Sequence, residues 1–325
     1  MGQRFEDGFS GRTAVVTGGG TGMGRELVHQ LTADGCDVAT CDVIIDNAEQ
    51  TAARCAADGH PGSVLTFAAD VSDESQVLAF AEAVGRWRPR VNLLFNNAGI
   101  GGGGTIVAGD RAQWERVFDV CWYGVYYSTL AFLPQLLRAD AGVVVNTSSV
   151  NGFYASIGPD LPHTAYSAAK FAVKGFTEAL ITDFAVNAPH LRAAVVMPGH
   201  IGTSIQANSD ALLGLDDPAR LRDRYASAGR SADHLSDDEL LARARRRAES
   251  FEASAVTTAA EAAAIILDAV RRDEWRILVG PDAVLIDEMV RADPLHAYEA
   301  DFHRRWAMGM AEFRRDALRA RTTDR

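Results

Sequence analysis

A chain of 325 residues with 47% hydrophobic and 23% charged residues has ordinary globular composition and room for one large or two modest domains. Its formal charge of −11, from 43 acidic against 32 basic side chains, argues against nucleic acid or an anionic membrane surface as partner. No apolar run is long enough to span a bilayer, the first residues carry no apolar signal region, and Glu6 replaces the Ser or Thr that would make Gly2 a myristoylation site. Cys36, Cys41, Cys55 and Cys121 lack metal-ligand or CxxC spacing, so a cytoplasmic protein with reduced thiols and no metal is expected.

In chain order, "TAVVT" (13–17) opens a series of short, continuously apolar strands. The others are "DVATCD" (37–42), "SVLTFAA" (63–69), "VNLLFN" (91–96), "GVVVNTS" (142–148), "RAAVVM" (192–197) and "RILVG" (276–280). Runs without in-and-out alternation suit strands buried on both faces of a parallel sheet. Helical patterns fall between them at about 22–34, 46–58, 73–87, 111–138 and 165–187. The alternation predicts an α/β, doubly wound, seven-stranded Rossmann-like sheet with helices on both faces.

The pattern breaks after residue 199, and 200–256 contains no clear strand. "SDDE" (236–239) is a capping box opening one helix, whose basic run Arg243, Arg245, Arg246 and Arg247 forms a solvated face. "TAAEAAAIILDAVRRD" (258–273) is a second helix with a threonine cap and a basic end. In the tail, Leu295, Tyr298, Phe302, Trp306, Met310 and Phe313 recur at steps of three or four. That predicts a helix over 294–318 whose apolar stripe is covered by protein.

Chemistry concentrates in two places. "TGGGTGMG" (17–24) joins the first strand to the first helix, and Gly18, Gly22 and Gly24 keep Cβ atoms away from backbone N–H groups that can hold a phosphate. The spacing is G-x-x-x-G-x-G rather than the usual dinucleotide fingerprint, so position carries more weight than pattern. Asp42 ends the second strand, where a carboxylate accepts ribose hydroxyls and repels a 2′-phosphate, and Thr21 and Val43 add no positive charge. NAD(H) is therefore the expected cofactor. Asp70 is placed either for the adenine amino group or as a turn residue. Farther on, "TAYSAAKFAV" puts Tyr166 and Lys170 at i and i+4 on one helix face. A free tyrosine, with a pKa of about 10, needs a nearby cation to serve as a base at neutral pH. Ser149, at the end of the fifth strand, is able to hold a substrate oxygen beside Tyr166, or simply to cap a turn.

Taken together, "TGGGTGMG", Asp42, "DV" (70–71), "NNAG" (96–99), "NTSS" (146–149), "YSAAK" (166–170) and "PGHIGT" (198–203) resemble the short-chain dehydrogenase/reductase family, in its single-domain NAD-dependent branch. The resemblance covers about 10–280, with a lid over 200–256 and a helical extension over 282–325 inside one domain of 1–325. It implies Tyr166 as general acid/base, Lys170 as ribose ligand that lowers the tyrosine pKa, and Ser149 as the group orienting the substrate oxygen. It further implies a cofactor site built from Gly18, Thr21, Gly22, Met23, Gly24, Asp42, Asp70, Val71, Asn97, Ala98, Gly99, Tyr166, Lys170, Pro198, Gly199, Ile201 and Thr203. A homodimer or homotetramer is common in the family.

Two departures stand out. "VFDVCWYGVYY" (117–127) aligns Cys121 with an asparagine that, in this family, helps hold a water between the lysine and solvent. Either the proton relay runs another way or catalysis is slow or lost. A nucleophilic Cys121 has no basic neighbour in the segment to support it. The connection from Ser149 to Tyr166 is also long, and Phe153, Tyr154, Ile157 and Leu161 are candidates for the substrate wall, with His163 read as a surface loop residue. A large apolar lid suits a bulky hydrophobic alcohol or ketone. The expectation is an NAD(H)-dependent alcohol dehydrogenase/ketoreductase. Its rival is a non-catalytic NAD(H)-binding sensor or scaffold.

Overall fold

The computed structural model describes residues 5–156 and 161–323. In chain order the elements are β1 (Thr13–Thr17), α1 (Gly22–Ala33), β2 (Asp37–Asp42), α2 (Ile45–Ala57), β3 (Val64–Ala68), α3 (Glu74–Trp87), β4 (Leu93–Asn96) and α4 (Arg111–Phe118). A π-helical turn (Asp119–Tyr123) leads into α5 (Gly124–Leu137), followed by β5 (Gly142–Thr147), a 3-10 turn (Val150–Gly152), α6 (Thr164–Asn187) and β6 (Leu191–Pro198). Then come β7 (Ile201–Gly202), α7 (Ile205–Leu212), α8 (Pro218–Ser227), α9 (Asp237–Ala253), β8 (Thr257–Thr258), α10 (Ala259–Arg271), β9 (Arg276–Val279), α11 (Pro281–Ala292) and α12 (Ala300–Thr323).

The seven long strands form one parallel sheet in the order β3-β2-β1-β4-β5-β6-β9. The winding reverses between β1 and β4, where Ala14 faces Leu93 and Val16 faces Phe95. In an open α/β sheet a cleft forms outside the carboxyl ends of strands at that point. Leu27, Val28 and Leu31 of α1 pack with Ile266, Leu267 and Val270 of α10 on one face. On the other, Val77, Phe80 and Val84 of α3 meet Phe132 and Leu136 of α5 and Leu180 and Phe184 of α6. Each such side chain, fully buried, contributes roughly 1.5–3 kcal/mol. Leu213, Leu215, Leu221 and Leu240 join this second core, which anchors the segment after β6 over the sheet's end.

Helix starts follow local chemistry. Asp73 caps α3 and Asp110 caps α4, each carboxylate accepting two backbone N–H groups. The capping box at Ser236 and Glu239 forms as expected, and Thr258 makes a second one with Glu261. Three features differ from expectation. The helix over 111–138 is interrupted by the π turn. The segment after residue 199 contains a two-residue strand, β7, paired with β8. The tail helix begins at Ala300 rather than 294; Pro294 instead ends α11, keeping Asp293 (φ −145°) out of helical backbone. Leu295 (88% exposed) and Tyr298 (59%) thus lie before the helix, Leu295 in solvent and Tyr298 with one ring face stacked on Tyr154. Phe302 is buried against Tyr154, Ile286 and Ala297, with Trp306 packed beside them. The Phe313 side chain and all of Ile157 lie outside the described residues. Among those described, no helix is long and apolar enough to cross a membrane.

Candidate active site

β1 runs directly into the glycine turn. Gly18 has φ +66°, and a Cβ there would sit 2.9 Å from the Ala98 Cα; one on Gly24 would lie 2.1 Å from the Gly18 carbonyl oxygen. Only glycine lets the turn, α1 and the 97–99 loop touch backbone to backbone. Asn97 locks this contact: its Nδ2 donates to the carbonyls of Thr17 (3.1 Å) and Gly18 (3.3 Å), while the Thr17 hydroxyl accepts from Asn97 N (3.0 Å) and Ala98 N (3.1 Å). Arg25, which the sequence reading did not single out, braces the turn from behind by donating to the Gly20 carbonyl (Nε, 2.9 Å) and the Thr51 hydroxyl (3.2 Å). The α1 N-terminus, with its unpaired N–H groups, therefore faces an open cleft.

That cleft is lined by Gly18, Thr21, Gly22, Met23, Asp42, Asp70, Val71, Asn97, Ala98, Gly99 and Thr203, all anticipated. Asp42 accepts N–H groups from Gly20 and Ile44, both at 3.0 Å, and burial pushes its carboxyl above the usual range. Asp70 combines both of its candidate roles in position: it lines the cleft, and it holds Ser72 N and Oγ (3.0 and 2.7 Å) and Arg116 (2.7 Å). Burial works against ionisation of Asp70, but Arg116 and Ser72 outweigh it and hold the carboxyl below its ordinary value. Pro198, Gly199 and Ile201 do not line this cleft; Gly199 donates its N–H to the Val279 carbonyl, and Ile201 is buried in the core.

Residues missed in the sequence complete the lining. Ile205, Asn208, Ala211 and Leu212 of α7 close it from above. Asn208 Nδ2 donates to the Thr21 hydroxyl (3.0 Å), and the Ser209 hydroxyl accepts the Gly101 N–H (2.8 Å), so α7 is fastened to both walls. No spacing signal announces these contacts.

At the inner end α6 delivers Tyr166 and Lys170. Lys170 is 2% exposed; its Nζ donates to the Thr147 carbonyl at 2.7 Å and lies 5.4 Å from the Tyr166 ring centre. Burial lowers the lysine pKa. It also raises that of the Tyr166 phenol, as does the Cys121 sulfur, while a hydrogen bond with the Ser149 hydroxyl acts the other way. Ser149 Oγ in addition accepts the Asn151 N–H at 3.1 Å, capping the 3-10 turn. A Cβ on Gly99, a cleft residue, would lie 3.5 Å from Lys170 Nζ and 3.7 Å from Cys121 Sγ, which fixes both groups at the edge of the cleft. Cys121 is fully buried on the π turn and its thiol donates to the Ile100 carbonyl at 3.2 Å.

Two candidate wall residues go elsewhere. Tyr154 is 2% exposed, stacks on Tyr298 and shares a hydrogen bond with the His303 ring, and Phe153 packs in the same tail cluster. His163 is not a free surface residue: its ring centre is 4.8 Å from that of Tyr166, and burial, with Arg224 and Arg247 adding, pushes its pKa down to about 4.

Comparison with known proteins shows the family to which the chain belongs. The family model for short chain dehydrogenases matches residues 12–212. The protein called oxidoreductase SadH in Mycobacterium tuberculosis is 31% identical over 306 residues, 94% of this chain and 97% of its own length. Levodione reductase of Leifsonia aquatica is 30% identical, covering 72% of this chain and 86% of its own. A Burkholderia phymatum short chain dehydrogenase/reductase, solved in complex with NAD, superposes with a TM-score of 0.72 at 27% identity, covering 90% of this chain and 95% of its own.

Proposed function

Since the chain belongs to the short-chain dehydrogenase family and is an oxidoreductase of that family, we propose that it interconverts a secondary alcohol and a ketone with NAD(H), on a bulky hydrophobic substrate. The observation that carries this reading is the convergence of Ser149, Tyr166 and Lys170 at the inner edge of a cleft whose outer part is the glycine turn. The cleft fits a dinucleotide: Gly18 and Gly24 let the turn, α1 and the 97–99 loop close up behind the α1 N-terminus, and Asp42 has carboxylate oxygen left for ribose hydroxyls. The Arg25 guanidinium donates to the Gly20 carbonyl and the Thr51 hydroxyl behind the turn, while the Asp42 carboxylate lines the cleft, where it would repel a 2′-phosphate. A relative named a levodione reductase supports ketone chemistry; similar structures are solved with NAD and with NADP, so the choice of NAD(H) rests on Asp42.

When bound, the nicotinamide supplies or accepts the hydride. The chain's own residues handle the proton. Ser149 holds the substrate oxygen at the Tyr166 phenol. In the reductive direction Tyr166 gives its proton to that oxygen, and burial, by favouring the neutral phenol, keeps it charged with a proton to give. In the oxidative direction Tyr166 takes the alcohol proton, and the Lys170 ammonium beside the ring lowers the energy of the phenolate. Leu212 and Ile205 of the lid exclude water and favour apolar substrates. Exposed Tyr126, Leu130 and Leu137 on α5 and Phe171 on α6 support a homo-oligomer joined through these helices.

Turnover across a panel of secondary alcohols with NAD⁺ and ketones with NADH tests the proposal. Activity on bulky apolar members supports it. Tight NAD(H) binding without turnover of any member favours the scaffold reading, for which Cys121 is the one specific observation.

A further inference from the structure

Away from the cleft, three side chains with metal-ligating chemistry meet beside α1. His29 lies on α1, Asp58 ends α2, and His60 follows two positions later. One ligand atom from each lies within 4.8 Å of the others. The two imidazole rings sit edge to face with centres 4.3 Å apart, and His29 Nε2 is 2.7 Å from Asp58 Oδ2. Both histidines are half-buried while Asp58 is exposed, so the group is held in place yet open to ions in solution.

Second contacts set this group apart from a chance ion pair. The Thr32 hydroxyl stands within bonding distance of the Val28 and His29 carbonyls (2.8 and 3.0 Å), so its single proton is directed at backbone oxygen. Toward His60 Nδ1, at 2.9 Å, it acts as acceptor. His60 therefore carries its proton on Nδ1 and its lone pair on Nε2, a neutral imidazole oriented by a hydroxyl. Ligating histidines are commonly fixed in this way. Arg54, the competing cation, is 3.9 Å from Asp58 and is drawn off to Glu26 at 2.9 Å.

We propose that His29, Asp58 and His60 form a surface site for a divalent zinc-class cation, two imidazole nitrogens and one carboxylate oxygen, with water in the remaining position. Two nitrogens and an oxygen suit Zn²⁺, Ni²⁺ or Co²⁺ better than the hard cations Mg²⁺ and Ca²⁺. Bonds of about 2.0–2.2 Å in a tetrahedron place ligand atoms roughly 3.3 Å apart. The short His29–Asp58 contact has to open and the widest spacing to close, by shifts at the ends of side chains. The ion would tie α1, which carries the glycine turn at its other end, to the end of α2. That clamp is absent from the sequence pattern because His29 and His60 lie on different elements.

The test uses the full-length protein stripped with EDTA and titrated calorimetrically with ZnCl₂ in a non-chelating buffer, with CoCl₂ absorption as a second readout. One equivalent should bind with a rise in Tm, and tetrahedral Co²⁺ bands should appear. His60→Ala and Asp58→Asn should each weaken binding at least tenfold. Because Asp58 is exposed, Asp58→Asn should fold normally and decides the matter if His60→Ala does not. Absence of saturable uptake, or equal affinity in Asp58→Asn and the unmodified protein, would overturn the assignment. In the second case the ion belongs to another pair such as His296 and Asp293.

Discussion

Replacing Cys121 with asparagine probes the proton path directly. The thiol is fully buried, donates to the Ile100 carbonyl at 3.2 Å, and shares a 4 Å neighbourhood at Gly99 with Lys170 Nζ. An asparagine amide brings a donor and an acceptor. Its Nδ2 has the Ile100 carbonyl to bond, and its oxygen has the Lys170 ammonium, which donates one of its protons to the Thr147 carbonyl. Two made bonds contribute about 0.5–1.5 kcal/mol each, against roughly 1–3 kcal/mol lost for each buried polar group left alone. With both partners met, the terms nearly cancel against the cost of the larger side chain. At about 2–4 °C per kcal/mol, a scale measured on somewhat shorter chains, Tm should stay within a few degrees. Turnover should be unchanged or raised, with the clearest gain where proton release limits alcohol oxidation. The assays are calorimetric Tm and kcat against pH with NAD⁺. A large fall in Tm together with lost activity would refute the reasoning, because it would mean that the amide finds no partners and that this face of the helix is apolar.

Tyr166→Phe should reduce turnover by about 10²–10⁴-fold while NAD(H) affinity, followed by nicotinamide fluorescence, stays nearly constant; retention of most activity would assign the acid/base role to another group. Asp42→Ser should erode a preference for NAD(H) over NADP(H), and equal affinity of the unmodified protein for both would show the carboxylate does not discriminate. His163 gives a pH signature. Its folded pKa, about 4, lies below the ordinary 6.5, so the unfolded chain takes up the proton first as pH falls; the stability is present above pH 6.5 and lost between there and 4. The loss is at most about 3 kcal/mol, less for a ring that keeps some solvent contact. His163→Gln should flatten that limb in urea titrations at pH 7 and 4.5, and an unchanged limb would place the neutral histidine's contribution elsewhere.

The sheet and its switch point were readable because buried parallel strands have no other way to look: continuous apolar runs such as "TAVVT" and "GVVVNTS". The glycine turn, Asp42, Tyr166 and Lys170 were readable because backbone contact and i,i+4 geometry constrain residue types at fixed spacing. Asn208, Ser209, Arg116 and Arg25 were not, since a single hydrogen bond between distant segments leaves no periodic trace. The tail was half readable. Its stripe from Phe302 to Trp306 packs as the spacing predicts, but Leu295 and Tyr298 fall in the connection before the helix, which periodicity alone does not bound.

Tyr154 shows where such reading goes wrong in a useful way. A large aromatic residue just after Ser149 suggests a substrate wall, yet its ring is enclosed by Phe302, Tyr298 and His303 of the tail. The backbone of the same segment is held as well: Asn151 Nδ2 donates to the Tyr154 carbonyl at 3.1 Å, and Ala155 N donates to the Tyr298 hydroxyl at 3.1 Å. Ser149 is therefore flanked on its C-terminal side by a segment packed against a helix 150 residues farther along the chain. On its other side, Ser148 Oγ donates to the Lys170 carbonyl and Asn146 reaches Thr177, both on α6. Two sets of contacts thus fix the hydroxyl at Tyr166, one within the sheet-and-helix core and one supplied by the tail. If Ser149 holds the substrate oxygen as proposed, it gains from both, because misplacement on the order of 1 Å weakens proton transfer steeply.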